Sequence, residues 1–139
     1  MKLNQIFQSK KEYGLVFLRL VIGCRLIIGV WSSIISWQQM LGVKDFFQQS
    51  NIPLALTSAV VAVYAEFICG LLFIIGLWVR QAALVMIITF VVAIIFVDIH
   101  NTFKVAFPAW AILAASVAFL FYGAGGFSLD EWLTKRKKQ

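Results

Sequence analysis

Four long apolar runs leave this chain little to fold into except a membrane bundle, and the second of them carries a charge at its centre. Between Leu54 and Val79 the only formal charge is Glu66. A hydrocarbon core takes about 20 apolar residues per helical span, so a helix over this run sets Glu66 near the midplane. An ionisable group at that depth is costly to insert and marks a paired, interior-facing and functional position. The composition agrees: 13% of the residues are charged and 62% hydrophobic, where soluble chains run at about 25% charged. The expected fold is all-α, a single four-transmembrane-helix bundle over the whole chain. Its spans fall at about 13–37, 54–79, 82–100 and 107–123, with a basic tail over 132–139.

The net charge of +6 does not point to nucleic acid, because the basic residues form no recognition face. They collect at Lys2, Lys10, Lys11, Arg80 and the run Lys135, Arg136, Lys137 and Lys138. With both termini cytoplasmic, these all fall inside and only Lys44 and Lys104 fall outside, as positive-inside sorting requires. Trp37 and Trp110 then sit at the outer interface, Trp78 and Trp132 at the inner one. The expected location is the cytoplasmic (inner) membrane of a prokaryote. The N-terminal stretch, with Leu3, Ile6 and Phe7 on one face among lysines, reads as a short interfacial helix rather than a cleaved signal. Residues 41–53 read as a loop with Phe46 and Phe47 at the interface, and Pro53 as the opening of the second span.

Three constellations could carry chemistry. The first is intramembrane. Arg25, Gly29, Ser32, Ser33 and Ser36 recur at helical spacing on the first span, and Ala55, Ala59, Ala62, Glu66 and Gly70 on the second. Small residues let helices approach closely in lipid, so both stripes are expected to face protein and to bring Arg25 to Glu66. A lone arginine at mid-span costs about 2.5–3.5 kcal/mol on insertion scales, which pairing would offset. Such a pair either fixes helix register alone or makes Glu66 a proton-accepting carboxylate beside an arginine, with Ser32, Ser36 and Tyr64 lining a pocket.

The second constellation is the outer end of the third span, Asp98 and His100, read either as a solvated helix end or as a proton exchange point suited to histidine. The third is the cytoplasmic rim, where Arg19, Arg80, Ser128 and Asp130 suggest a clamp, Asp130 lying at a depth to pair with either arginine. FSLDEWL is expected to start a last amphipathic turn capped by Ser128.

The remaining residues narrow the field. A single histidine rules out bis-histidine haem ligation, and Asp98, His100 and Asn101 are a thin set for a transition metal; no metal or haem is expected. Cys24 and Cys69 form no CxxC and read as small buried hydrophobes. GAGGF follows an apolar run rather than opening a helix, so it reads as a helix stop and not a phosphate cradle.

An LRL start to the first span, the block AEFICGLLFIIGLWVRQAAL, a histidine after the third span and a closing GAGGFSLD together resemble the DoxX family. The most specific parts are Glu66, Gly70, Gly76 and Arg80 in the block and Gly123, Gly125, Ser128, Leu129 and Asp130 in the closing motif. Arg19 and His100 also match the family pattern. The resemblance implies a small four-helix integral membrane protein. The family takes its name from a subunit of an archaeal thiosulfate:quinone oxidoreductase, and some members associate with membrane oxidoreductase complexes. The first span departs from the pattern: GVWSSII stands where many members carry an H/G-x-x-K segment, and Arg25 is added.

The leading expectation is therefore a quinone- or quinol-interacting subunit, or partner, of a membrane redox system, with Glu66 exchanging a proton beside Arg25. Electrons would come from a redox-enzyme partner subunit or from the quinone itself. Two alternatives stand beside it: a non-enzymatic scaffold or assembly subunit in a homo-oligomer, and a small-solute transporter. The chain shows no inverted repeat, so the transporter would need oligomerisation.

Overall fold

The computed structural model describes the backbone of residues 2–125 and 128–136, and the side chains of these except residues 2–11 and His100. The Leu3, Ile6 and Phe7 face, the imidazole of His100 and the residues Lys137 and Lys138 therefore lie outside the described side chains. The described chain is all-helical: α1 (Lys2–Ile35), α2 (Trp37–Gln49), α3 (Ala55–Ile75), α4 (Val79–Phe96), a 3-10 turn (Asp98–His100), α5 (Phe103–Tyr122) and α6 (Leu129–Arg136). Among the described residues four helices are long and apolar enough to cross a membrane: Glu12–Ile35 of α1, and α3, α4 and α5.

Several boundaries differ from the sequence expectation. The N-terminal stretch continues into the first span as one helix of 34 residues, because no glycine or proline interrupts it before Gly14. Its length is about 51 Å, well beyond a hydrocarbon core. The span ends at Ile35 rather than Trp37, since Ser36 turns extended (φ −118°, ψ 116°). Its carbonyl then accepts the first bonds of α2, from the N–H groups of Gln39 and Met40.

The expected loop is therefore mostly helix. Met40 is buried and Val43 and Phe47 are half-buried, and this three- and four-residue spacing is a helical period. Pro53 precedes α3 by two residues instead of opening it. Pro108, expected at the start of the fourth span, lies inside α5, and Lys104 falls in its first turn.

The helices pack as two antiparallel pairs, α1 with α3 and α4 with α5, joined where α3 meets α4; α2 lies on α1 and α3, and α1 meets α5 only sparingly. Lipid tails are as apolar as leucine, so close packing rather than hydrophobic burial must hold the pairs together. Glycines provide it at the α1–α3 crossing. A Cβ on Gly23 would stand 2.8 Å from the Gly70 carbonyl, and one on Gly70 would stand 3.0 Å from the Gly23 carbonyl.

The main core gathers at the end of the bundle that carries the α3–α4 turn and α6, here called the terminal end. Leu26, Phe73, Met86 and Phe119 are fully buried there, and the Phe73 and Phe119 rings lie 5.0 Å apart. A smaller cluster, Val30, Met40 and Val63, joins α1, α2 and α3 toward the opposite end. The main core takes no residue of α4 beyond Phe90 and none of α5 before Ala109. The two pairs consequently diverge toward the α2 end and leave a cleft.

Candidate functional site

The cleft has a volume of about 620 Å³ and is walled by all five of the helices α1 to α5. Its wall is mostly apolar, with Phe46 and Phe47 from α2, Ile88 and Val92 from α4, and Pro108 from α5. Phe90 and Ile112 belong both to this wall and to the main core, so they form its floor. Polar groups are few: Arg25 and Ser33 from α1, Ser58 and Glu66 from α3, Thr89 from α4, and Asp98 from the 3-10 turn.

Arg25 and Glu66 reach the cleft from different helices, each near the middle of its span. Glu66 stands about 16 Å along the axis from the start of α3 and is half-buried. Arg25 is exposed and its guanidinium folds along its own helix, so that a Cβ on Gly29 would stand 2.6 Å from Nη1. Gly29 thus makes the space in which the guanidinium lies. The expected contact between the two groups is corrected here. Among the described residues the ion pairs within 4.0 Å are Lys44–Asp45 and Lys135–Glu131, and Arg25 and Glu66 form none. They share the cleft without touching.

The stripe on α1 is right in spacing and off in phase. The buried residues among those described are Arg19, Ile22, Gly23, Leu26, Val30 and Ser33. At about 100° per residue, Arg25 falls at the border of that face and Ser32 beyond it. Ser32 is exposed, on a shallow surface with Ile27, Ile28 and Trp31. Ser33, one residue on, lines the cleft instead. Ser36 forms the break between α1 and α2 and is not on the cleft wall. Tyr64 is exposed and lies about 140° around α3 from Ala59, on the side away from the buried face. Asp98 is on the cleft wall, just past α4, and accepts a hydrogen bond from Asn101 Nδ2 at 3.3 Å.

The terminal rim is a clamp, and the hydrogen bonds of Arg19, Arg80 and Asp130 there run to backbone groups. Buried Arg19 donates from Nη1 to the Ala124 carbonyl. Its guanidinium also fills the space where a Cβ on Gly76 (φ +77°) would stand, 2.8 Å from Cζ. Asp130 accepts from the backbone N–H groups of Trp78 (2.9 Å) and Val79 (3.3 Å), and its own N–H donates to the Gly76 carbonyl at 3.1 Å. These bonds cap α4 from α6, at a turn where Trp78 holds a left-handed φ of +49°. Such a conformation costs a bulky residue about 1–3 kcal/mol and persists only where its surroundings fix it.

Arg80 reaches the Phe121 carbonyl at 3.5 Å. Ser128 caps α6 as expected: its Oγ accepts from the Glu131 N–H at 3.2 Å and donates to the Gly125 carbonyl at 2.9 Å. Every one of these groups serves a helix end, where backbone groups have no intrahelical partner. Of the cysteines, Cys69 is buried as expected but Cys24 is exposed, and both are free.

A bundle of four apolar helices, with a mid-span acid on the second and glycine contacts beside it, defines a small integral membrane protein. The DoxX family profile matches residues 14–99, from the first span through α4 and into the 3-10 turn. The chain belongs to the DoxX family. The closing GAGGFSLD motif lies beyond the matched residues. No curated protein and no solved structure matches the chain.

Proposed function

We propose that this DoxX-family protein binds the head of a quinone or quinol in the cleft and moves a proton at Glu66. The observation that carries the reading is that Arg25 and Glu66, from two helices, share one mostly apolar wall. Ligand sites of this size are mostly apolar, with a few placed polar groups that fix orientation. A ring carbonyl needs a donor and a ring hydroxyl an acceptor; Arg25 provides the first and ionised Glu66 the second. When bound, the ring supplies two-electron, two-proton chemistry.

The chain's own residues do the rest. Arg25 orients the head, Glu66 holds or releases a proton at a carboxylate oxygen, and Phe46, Phe47 and Val92 give the ring apolar contact. Both termini face the cytoplasm, on the distribution of basic residues, and the host is a prokaryotic cytoplasmic membrane. A redox-enzyme subunit is the partner that would exchange electrons with the ring.

Native mass spectrometry of gently extracted protein tests this. The expected result is retained quinone in the parent protein and its loss in Glu66→Gln, with the melting temperature unchanged. Equal and empty spectra for both proteins would overturn the reading and favour the scaffold. Proteoliposome uptake that depends on Glu66 would favour the transporter.

A further inference from the structure

The cleft has a direction that holds whatever its ligand is. Its floor is Phe90 and Ile112, and below that floor Leu26, Phe73, Met86 and Phe119 are closed against one another. Its wall reaches the other end of the bundle, through Val97 and Asp98 just past α4 and Ile52 before α3, and that end is the one the packed core leaves unsealed. Beyond the floor stand Glu66, Arg25, Ser33 and Ser58, with Thr89 at the level of the floor itself, and these polar groups run from mid-span to one end only.

Arginine stays charged under all physiological conditions, and among the described residues Arg25 has no carboxylate within 4.0 Å. A charge at that depth is tolerated where it is paired or faces a water-filled cavity. The cleft supplies the second condition. At about 30 Å³ per water its volume holds on the order of 20.

We propose that the cleft is a water-filled half-channel, open at the α2 end and closed at the Phe90–Ile112 floor, through which Glu66 exchanges protons with one side of the membrane only. The step conserves atoms and charge. Hydronium at the mouth gives up a proton, each intervening water accepts one and passes one on, and the Glu66 carboxylate becomes the acid. Release runs the same steps backward. Among the described side chains, the charged and titratable groups on this route besides Glu66 are Arg25 from α1 and Asp98 from the 3-10 turn; Cys69 lies one turn from Glu66 on α3, off the wall. Among the wall residues α2 and α5 contribute apolar groups, and α4 the Thr89 hydroxyl.

The test is sided cysteine labelling in sealed proteoliposomes, on a Cys24→Ser, Cys69→Ala background, with a membrane-impermeant thiosulfonate. Asn101→Cys marks the α2 side and Thr134→Cys the terminal side. Ala93→Cys on the cleft wall is expected to react when reagent is added on the Asn101 side and not on the other. Met86→Cys, below the floor, is expected to react from neither. Should Ala93→Cys fail to fold, Ala62→Cys across the cleft replaces it. Labelling of either wall position from the Thr134 side, or from no side while Asn101→Cys reacts, overturns the proposal. Quinone retention alongside unreactive wall cysteines would sink the half-channel and leave the ligand reading standing.

Discussion

The two ends of the bundle use the same residue types for opposite purposes. At the terminal end, Arg19, Arg80, Ser128 and Asp130 all engage backbone groups at helix ends. A charge there replaces the partner that a helix terminus lacks, and the surrounding core is closed. In the cleft that opens from mid-span toward the α2 end, Arg25 and Glu66 sit far from any helix terminus, and the two helix pairs part around them. The lesson is that an arginine inside an apolar span is read by what it faces. Arg19 holds the fold together; Arg25 faces a space that a ligand or water can enter.

The sharpest way to break this comparison is at the crossing on which both ends depend. Gly70→Leu puts a side chain where a Cβ already falls within 3.0 Å of the Gly23 carbonyl. Backbone atoms cannot step aside as a flexible side chain can, so the cost exceeds the about 1–3 kcal/mol of ordinary overpacking. The expected outcome is loss of the monodisperse peak in size-exclusion chromatography; an unchanged peak and melting temperature would remove the close crossing.

A smaller effect is expected from the clamp. Asp130→Ala frees the Trp78 and Val79 N–H groups and should lower stability by about 0.5–2 kcal/mol, as for other lost helix caps. Thermal melts in detergent check it, and quinone retention should stay intact in the surviving folded protein.

Gly29→Ala sharpens the contrast because its two effects have opposite signs. Alanine favours a helix over glycine by about 1 kcal/mol, so melting should hold steady or rise. The new Cβ displaces only the tip of Arg25, and ligand retention should fall. A variant that melts higher and still retains ligand would mean that the position of the guanidinium is immaterial.

The least effect is expected at the exposed end of α6. The Glu131 carboxylate, first by hydrogen bonding and then by its charge, raises the pKa of Lys135. A raised lysine contributes below its ordinary pKa and loses that contribution as pH rises through the raised value. Lys135→Ala should therefore lower the melting temperature slightly at neutral pH, by the small amount expected of an exposed pair, and the difference from the parent should vanish in strong alkali.

Much of this was legible in the residues. The four spans, the small-residue faces, Ser128 as a cap and the central depth of Glu66 all follow from hydropathy, helical period and capping chemistry. The phase of a helix was harder to read. Arg25, Ser32 and Ser33 share a stripe by spacing, yet an error of one residue, about 100°, separates the cleft wall from the outer surface. The helix α2 was legible in Met40, Val43 and Phe47 but was obscured by the polar residues between them. The backbone partners of Arg19 and Asp130 were not legible at all, because backbone carbonyls and N–H groups at helix ends have no sequence signature.

Water-edited solid-state NMR in lipid bilayers tests the difference between the two ends most directly. Ala62, Ala93 and Ala109 line the cleft, while Ala82, Ala83 and Ala115 lie in the closed core. Magnetisation from water should reach the first three as quickly as it reaches residues at the chain's exposed ends, and the second three should stay dark. Six alanines equally dry would mean that the helix pairs close on each other in a membrane, and the cleft with its half-channel would be gone.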